Sequence, residues 1–175
     1  MSLIQIKVGG FGGQGVILTG TILGQAAAIF DNKNATMTRS YGPEARGGAC
    51  SAQIVLSEDP ITYPYVVSPD VLIVMSQEAC DRYLPDIHDN GILLYEKDLV
   101  TPNLNGKKVN ALGVPSTRIA EELGNRVVQN IVMLGYFAKI SDAIKKDAIQ
   151  NAIKETVPPK TVELNLSAFE QGFTY

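Results

Sequence analysis

The feature that most constrains the fold is a run of glycines, Gly9-Gly-Phe-Gly-Gly-Gln-Gly15, called the glycine loop below. It follows residues 3–8, whose alternating apolar and polar side chains predict a β-strand. Glycine accepts positive φ angles, so the chain can turn within this run. Residues 14–30 are then mostly apolar with few charges, which predicts a helix packed between a sheet and a second layer. The order strand, glycine loop and helix indicates the first unit of an α/β fold.

The rest of the chain continues this alternation of strands and helices. Further strands are predicted at residues 35–39, 50–56, 70–75, 92–95 and 107–112. Helices are predicted at 77–84, with Ser76 as cap, and at 115–123, 125–140, 145–156 and near 166–171. This pattern predicts a single Rossmann-like α/β domain over residues 1–175, with a largely parallel sheet flanked by helices.

Composition excludes several classes of protein. Fifteen Lys and Arg against eighteen Asp and Glu give a net charge of −3, so no positive field favours nucleic acid. The chain has no apolar run of the roughly 18 residues that a membrane span needs, and we expect a cytoplasmic protein that binds no membrane. Two distant cysteines, Cys50 and Cys80, and a single histidine, His88, do not provide the ligands of an iron–sulfur cluster or a multi-histidine metal site. We therefore expect no metal site, two buried thiols and a solvated His88.

The glycine loop is the first candidate site. Its spacing Gly-x-Gly-x-x-Gly between a predicted strand and a predicted helix matches the dinucleotide-binding pattern, and a helix amino terminus favours an anion. The candidate contacts for a phosphate or for coenzyme A are Gly10, Gly12, Gly13, Gln14 and Gly15. The predicted second strand ends in Thr38-Arg-Ser40 and lacks the acid that holds a ribose, which argues against NAD. Close strand–helix packing, phosphate or coenzyme contact, and an NADP site using Arg39 all stay open.

The second candidate site is the segment Thr38-Arg-Ser-Tyr-Gly-Pro-Glu-Ala-Arg-Gly-Gly48, called the tyrosine–arginine loop below. Loops that carry such side chains on a rigid scaffold are frequent binding sites, and Tyr and Arg often anchor protein interfaces. The candidate partner-interface residues are Arg39, Tyr41, Glu44 and Arg46. The alternative is a solvated connection with local Arg–Glu pairing.

Five segments in this order make the chain similar to a known family. They are the glycine loop, Ser40–Gly48, Met75-Ser-Gln-Glu-Ala79, Asn130-Ile-Val-Met-Leu-Gly135 and Ala168-Phe-Glu-Gln-Gly172. Over essentially its whole length the chain closely resembles the gamma subunit of 2-oxoacid:ferredoxin oxidoreductases. The sequence of residues 41–48 is most similar to that of the 2-oxoglutarate enzymes, and less similar to those of the pyruvate and branched-chain 2-oxoacid enzymes.

The resemblance implies a role in a multisubunit complex. Such a complex decarboxylates a 2-oxoacid on thiamine diphosphate, passes electrons through iron–sulfur clusters to ferredoxin and transfers the acyl group to coenzyme A. The expected partners are the alpha and beta subunits, with a delta subunit left open, and these other subunits are expected to hold the cofactors. No catalytic residue is assigned to this chain, and alone it is expected to be inactive. The alternative is a free-standing Rossmann-type enzyme that binds NADP or another coenzyme.

Overall fold

The chain forms the strands and helices that the sequence predicts, but they do not alternate strictly, since three strands follow the first helix and four helices end the chain. A computed structural model describes residues 3–43 and 47–175. Its strands are β1 (Ile4–Phe11), β2 (Asn34–Tyr41), β3 (Ala49–Ser57), β4 (Val71–Val74), β5 (Ile92–Glu96) and β6 (Asn110–Val114). Its helices are α1 (Val16–Gln25), α2 (Gln77–Tyr83), α3 (Ser116–Glu122), α4 (Gln129–Ile140), α5 (Lys146–Thr156) and α6 (Val162–Thr174). A π-helical turn, Ala26–Phe30, continues α1.

Within the described ranges, six strands form one sheet in the order β2-β3-β1-β4-β5-β6. β1, β4, β5 and β6 pair in parallel with one another, whereas β3 runs antiparallel to both β1 and β2. The prediction of an α/β domain with a largely parallel sheet is confirmed, with β3 as the exception. Residues 42–48 are too few for the crossover that parallel pairing of β2 and β3 requires, so these strands form a hairpin.

Strand alternation divides the core between the two faces of the sheet. The larger core lies on the face of α1, α4, α5 and α6 and includes Ile6, Ile54 and Ile73. As predicted, Cys50, Ala52, Ile54 and Leu56 share this face. A smaller core, which includes Leu72 and Leu93, lies on the face of α2. Both faces of the central strands are therefore covered, as parallel sheets require.

Helices α4 and α6 meet backbone to backbone through two glycines. A Cβ added to Gly135 would lie 1.9 Å from the carbonyl oxygen of Phe169. A Cβ added to Gly172 would lie 2.0 Å from the carbonyl oxygen of Val132. Two of the segments that carry the family resemblance, 130–135 and 168–172, thus form one contact, which fixes α4 behind the glycine loop.

Several predicted boundaries shift in the structure. β1 continues through Gly9 and Gly10 to Phe11, because these glycines pair with β3 instead of turning. β6 begins at Asn110, three residues later than predicted from the sequence. α6 is longer than predicted and begins directly after a short turn at Pro159–Thr161. No helix in the described parts of the chain has the length and apolar character that crossing a membrane requires.

Candidate functional site

The conformation of the glycine loop is fixed by the side chain of Gln14. Its Oε1 accepts a hydrogen bond from the Phe11 N–H at 2.7 Å, and its Nε2 donates to the Met75 carbonyl at 2.8 Å. Met75 follows β4, so the amide spans the crevice between β1 and β4. In open α/β sheets, ligands usually enter at such a point, where the strand order reverses. Here a side chain of the protein occupies it.

The last glycine of the loop is held from behind by α4. Gly15 has a φ of +75° and precedes the first turn of α1. Its carbonyl accepts hydrogen bonds from the Thr19 N–H at 2.8 Å and from Asn130 Nδ2 at 3.3 Å. A Cβ at this position would lie 2.5 Å from the Asn130 side chain. Both the backbone angle and the close approach therefore require glycine.

The two candidate loops are neighbours. The Gly12 N–H donates to the Gly48 carbonyl at 2.9 Å, which continues the β1–β3 ladder by one pair. Between the loops lies a cleft of about 450 Å³. One wall contains Phe11, Gly12, Gly13, Gly15 and residues 16–18, and the other contains Tyr41, Gly42 and residues 47–50. The cleft thus joins the beginning of α1 to the end of β2.

The α1 side of this cleft contains the first turn of the helix. Among the described residues, no acceptor faces the N–H groups of Val16, Ile17 and Leu18, and Gly15 supplies no capping side chain. The amino end of a helix carries about half a positive charge, which is complementary to an anion. Cys50 lies on the opposite wall, and burial raises the pKa of its thiol. That thiol is therefore neutral near pH 7 and a poor nucleophile.

The predicted coenzyme contacts divide into two groups. Gly12, Gly13 and Gly15 line the cleft, whereas Gly10 and Gln14 do not. Gly10 lies under the Gln14 side chain, where an added Cβ would be 2.6 Å from Oε1. The N–H groups of Gly12 and Gln14 already donate to carbonyls of the chain. On this wall, the N–H groups of Gly13, Gly15 and residues 16–18 make no hydrogen bond within the described residues, and only the two glycines were among the predicted contacts.

Two of the predicted partner-interface residues, Arg39 and Tyr41, lie near the end of β2. Arg39 and Tyr41 are both exposed, and Tyr41 forms part of the cleft wall. Glu44 and Arg46 lie outside the described residues. β3 separates β2 from β1, so Arg39 is two strands, about 10 Å, from the strand that leads into the glycine loop. Arg39 does not line the cleft. The arrangement does not favour the NADP site in which Arg39 meets the phosphate.

Titratable groups elsewhere are engaged in structure. Glu96 is fully buried, and its carboxylate accepts hydrogen bonds from Ser116 Oγ, from the N–H and Oγ1 of Thr117 and from the Asp98 N–H. This anchors α3 and leaves little room for a role as a base. Burial raises the pKa of Cys80 to about 11, and His88 is exposed, as predicted. In the described residues, no three His, Cys, Asp or Glu side chains are grouped to hold a metal ion.

Known proteins match this chain along its length. The family model described as pyruvate ferredoxin/flavodoxin oxidoreductase matches residues 5–175. The 2-oxoglutarate synthase subunit KorC of Methanocaldococcus jannaschii is 47% identical over 171 residues, covering 97% of this chain and 91% of the relative. KorC of Methanothermobacter marburgensis is 42% identical, and the match covers 96% of this chain and 94% of the relative. The crystal structure of the keto/oxoacid ferredoxin oxidoreductase gamma subunit from Geobacter sulfurreducens matches with a TM-score of 0.86 and 37% identity. This match covers 98% of this chain and 96% of the Geobacter chain.

Proposed function

The chain belongs to the pyruvate ferredoxin/flavodoxin oxidoreductase family, and on that premise we propose that it is the gamma-type subunit of a 2-oxoglutarate:ferredoxin oxidoreductase. The observation that carries this proposal is the full-length match to KorC at 47% identity. The match covers 97% of this chain and 91% of the relative, so it is not confined to a short shared segment. The complex converts a 2-oxoacid, coenzyme A and two oxidised ferredoxins into an acyl-CoA, carbon dioxide, a proton and two reduced ferredoxins.

In this proposal the other subunits, alpha, beta and, where present, delta, hold thiamine diphosphate and the iron–sulfur clusters. The donor set of the described residues supports that division. Cys50 belongs to the core on the α1 face and Cys80 to the core on the α2 face, so their thiols lie on opposite sides of the sheet. They do not fit a common cluster, which needs several thiolates around one centre. The contribution of this chain is therefore binding and assembly.

The cleft beside the glycine loop receives an anionic group in this proposal, such as a phosphate of coenzyme A. Three features support it: the N–H groups at the start of α1, the absence of a capping side chain at Gly15, and the open space around Gly13. The polypeptide is also held in place before any ligand arrives, since Gln14 and Asn130 fix the loop from both sides. A ligand then meets donors that need no reorganisation.

The far wall of the same cleft faces a partner subunit in this proposal. Tyr41 exposes 63% of its surface at the end of β2, beside a cleft built from backbone. A tyrosine is a strong interface anchor, because it buries a large area and still offers a hydroxyl. The tyrosine–arginine loop, with Arg39, Glu44 and Arg46, would complete that contact and close the cleft against a neighbouring subunit.

Co-expression with the alpha and beta subunits of the same organism tests the proposal. We expect this chain to co-purify with them, and the complex to reduce ferredoxin faster with 2-oxoglutarate than with pyruvate or a branched-chain 2-oxoacid. A chain that never co-purifies would contradict the subunit assignment. A complex that prefers pyruvate would contradict the substrate assignment while leaving the family intact.

A further inference from the structure

The outer edge of β2 offers unpaired backbone groups. β2 is the terminal strand of the sheet formed by the described residues. The Gly42 N–H donates to the Ala49 carbonyl at 2.6 Å, and the same register continues along the hairpin. In an antiparallel pair, the backbone groups of successive residues point alternately toward and away from the neighbour. The groups of Ala35, Met37 and Arg39 therefore point away from β3.

This edge lacks the usual protection. Natural edge strands are blocked by proline, by bulges or by several charges, because an open edge recruits other strands. β2 runs for eight residues, NATMTRSY, with no proline and with Arg39 as its single charge. A long edge of this kind is complementary to one kind of occupant, another extended strand.

An apolar groove runs beside the same edge. It has a volume of about 230 Å³ and lies between β2 and the second half of α1, with Gly24, Ala28, Ile29, Ala35 and Met37 among its lining residues. Ile29 exposes 66% of its surface and belongs to the π-helical turn, a feature often found at functional positions. The groove and the strand edge thus form one continuous surface, called the β2 edge surface below.

We propose that the β2 edge surface is an interface between two copies of this chain. The β2 strands pair antiparallel about a two-fold axis near Met37 and extend the sheet across both copies. Such pairing uses the outward backbone groups of Ala35, Met37 and Arg39 on each side, and it is isologous, as most homodimers are. It does not rest on the function proposed above.

The charge pattern of β2 fits this register. With Met37 on the axis, Arg39 lies opposite Ala35 of the second copy. The two Arg39 positions are then four residues apart, about 13 Å along the strand, which exceeds the Debye length at physiological salt. Opposed residues share a face of the sheet, so the two apolar grooves lie on the same side and meet across the axis. In this register Tyr41 lies opposite Lys33 of the second copy, just outside the paired residues 34–40.

Sedimentation velocity of the purified chain over a wide range of concentrations tests the interface. We compare the wild type with Ile29→Lys and with the matched control Val127→Lys, since Val127 exposes 71% of its surface and does not line the groove. The wild type and Val127→Lys should form a concentration-dependent dimer. Ile29→Lys should weaken dimerisation at least about tenfold, because pairing would desolvate a lysine in each copy.

Ala35→Pro provides a second variant. It removes an N–H that points away from β3 and leaves the β2–β3 hydrogen bonds intact, so it should give a monomer with an unchanged circular dichroism spectrum. A wild type that stays monomeric at every concentration would overturn the proposal, as would an Ile29→Lys dimer of wild-type affinity. If the wild type is monomeric and Ile29→Lys instead prevents assembly with the alpha and beta subunits, the surface belongs to another subunit and the two-copy interface is wrong.

Discussion

Gln14 Nε2 donates a hydrogen bond to the Met75 carbonyl oxygen at 2.8 Å and thereby joins the glycine loop to the end of β4. The same side chain accepts a hydrogen bond from the Phe11 N–H. The polar residue of the glycine loop is thus a structural clamp, whereas the N–H groups of Gly13, Gly15 and the start of α1 make no hydrogen bond within the described residues. The shape of the loop is therefore set by contacts within the chain.

Gln14→Glu should destabilise the fold. The substitution keeps the size of the side chain but sets a carboxylate oxygen against the Met75 carbonyl, where a donor is needed. A buried or half-buried hydrogen-bonding group left unsatisfied costs about 1–3 kcal/mol. Urea unfolding should show a loss of that size. The exposed Gln171→Glu should change stability by less than about 0.5 kcal/mol. Equal stabilities of the two variants would show that Gln14 is not a clamp.

Gly13→Asp should weaken coenzyme A binding to the assembled complex. Gly13 has a φ of +93° and open space around it, so a side chain there projects without a clash. Asn is the matched control, because it has the same shape, accepts a left-handed backbone and carries no charge. Isothermal titration should give weaker binding for Asp than for Asn. Identical affinities of the two variants would contradict the proposal that this cleft binds an anion.

Tyr41→Ala should impair assembly without affecting the subunit itself. Truncation of a tyrosine that is buried at an interface commonly weakens the binding free energy by about 2 kcal/mol or more. Truncation of an exposed tyrosine changes it by less than about 0.5 kcal/mol. Tyr63 is the control, since its exposure of 59% is close to the 63% of Tyr41 and it does not line the cleft. Binding to the partner subunits should weaken for Tyr41→Ala alone, while both variants keep the melting temperature of the wild type. If Tyr41→Ala assembled as well as the wild type, Tyr41 would not be an interface residue.

Asp31→Asn should reduce stability in a pH-dependent way. Burial by itself would raise the pKa of Asp31, but hydrogen bonds from Lys33 and Lys145 outweigh burial and hold the pKa below its ordinary value of 3.8. A lowered pKa stabilises the fold at pH values above the ordinary value, and this contribution is lost as the pH falls through the lowered pKa of the folded protein. Lys145 is largely exposed, so the loss at pH 7 should be about 1–2 kcal/mol.

Urea unfolding of Asp31→Asn and wild type at pH 7 and at pH 3 measures this contribution. The difference between the two proteins should shrink at the lower pH. The exposed Asp142→Asn should show little difference at either pH. A difference for Asp31→Asn that is independent of pH would mean that the ion pairs contribute nothing.

Features that depend on residues close together in the chain were predicted correctly from the sequence. The alternation of residues 50–56 predicted the shared face of Cys50 and Leu56, and the Ser76 cap is confirmed by its hydrogen bond from the Ala79 N–H. What the sequence did not reveal depends on residues far apart in the chain. The partner of Gln14 is 61 residues away, and that of Gly15, Asn130, is 115 residues away. The antiparallel direction of β3, in contrast, had a local signal, since residues 42–48 are too few for a crossover connection.

The role of Gly135 and Gly172 illustrates the same limit. Each glycine lies in a segment that resembles the family, yet neither segment indicates that the two helices touch there. Only the folded chain shows that a Cβ on either glycine would meet a carbonyl of the other helix. The requirement for glycine is a property of the pair, so no single window of the sequence contains it.

Adding this chain back to a complex prepared without it tests the central claim, that the chain is a required but non-catalytic subunit. The measurement is coenzyme A-dependent reduction of ferredoxin with 2-oxoglutarate. We predict no turnover by the chain alone, little by the other subunits alone, and recovery to the rate of the co-expressed complex when they are mixed. Full turnover by the other subunits without this chain, or turnover by this chain alone, would contradict the account.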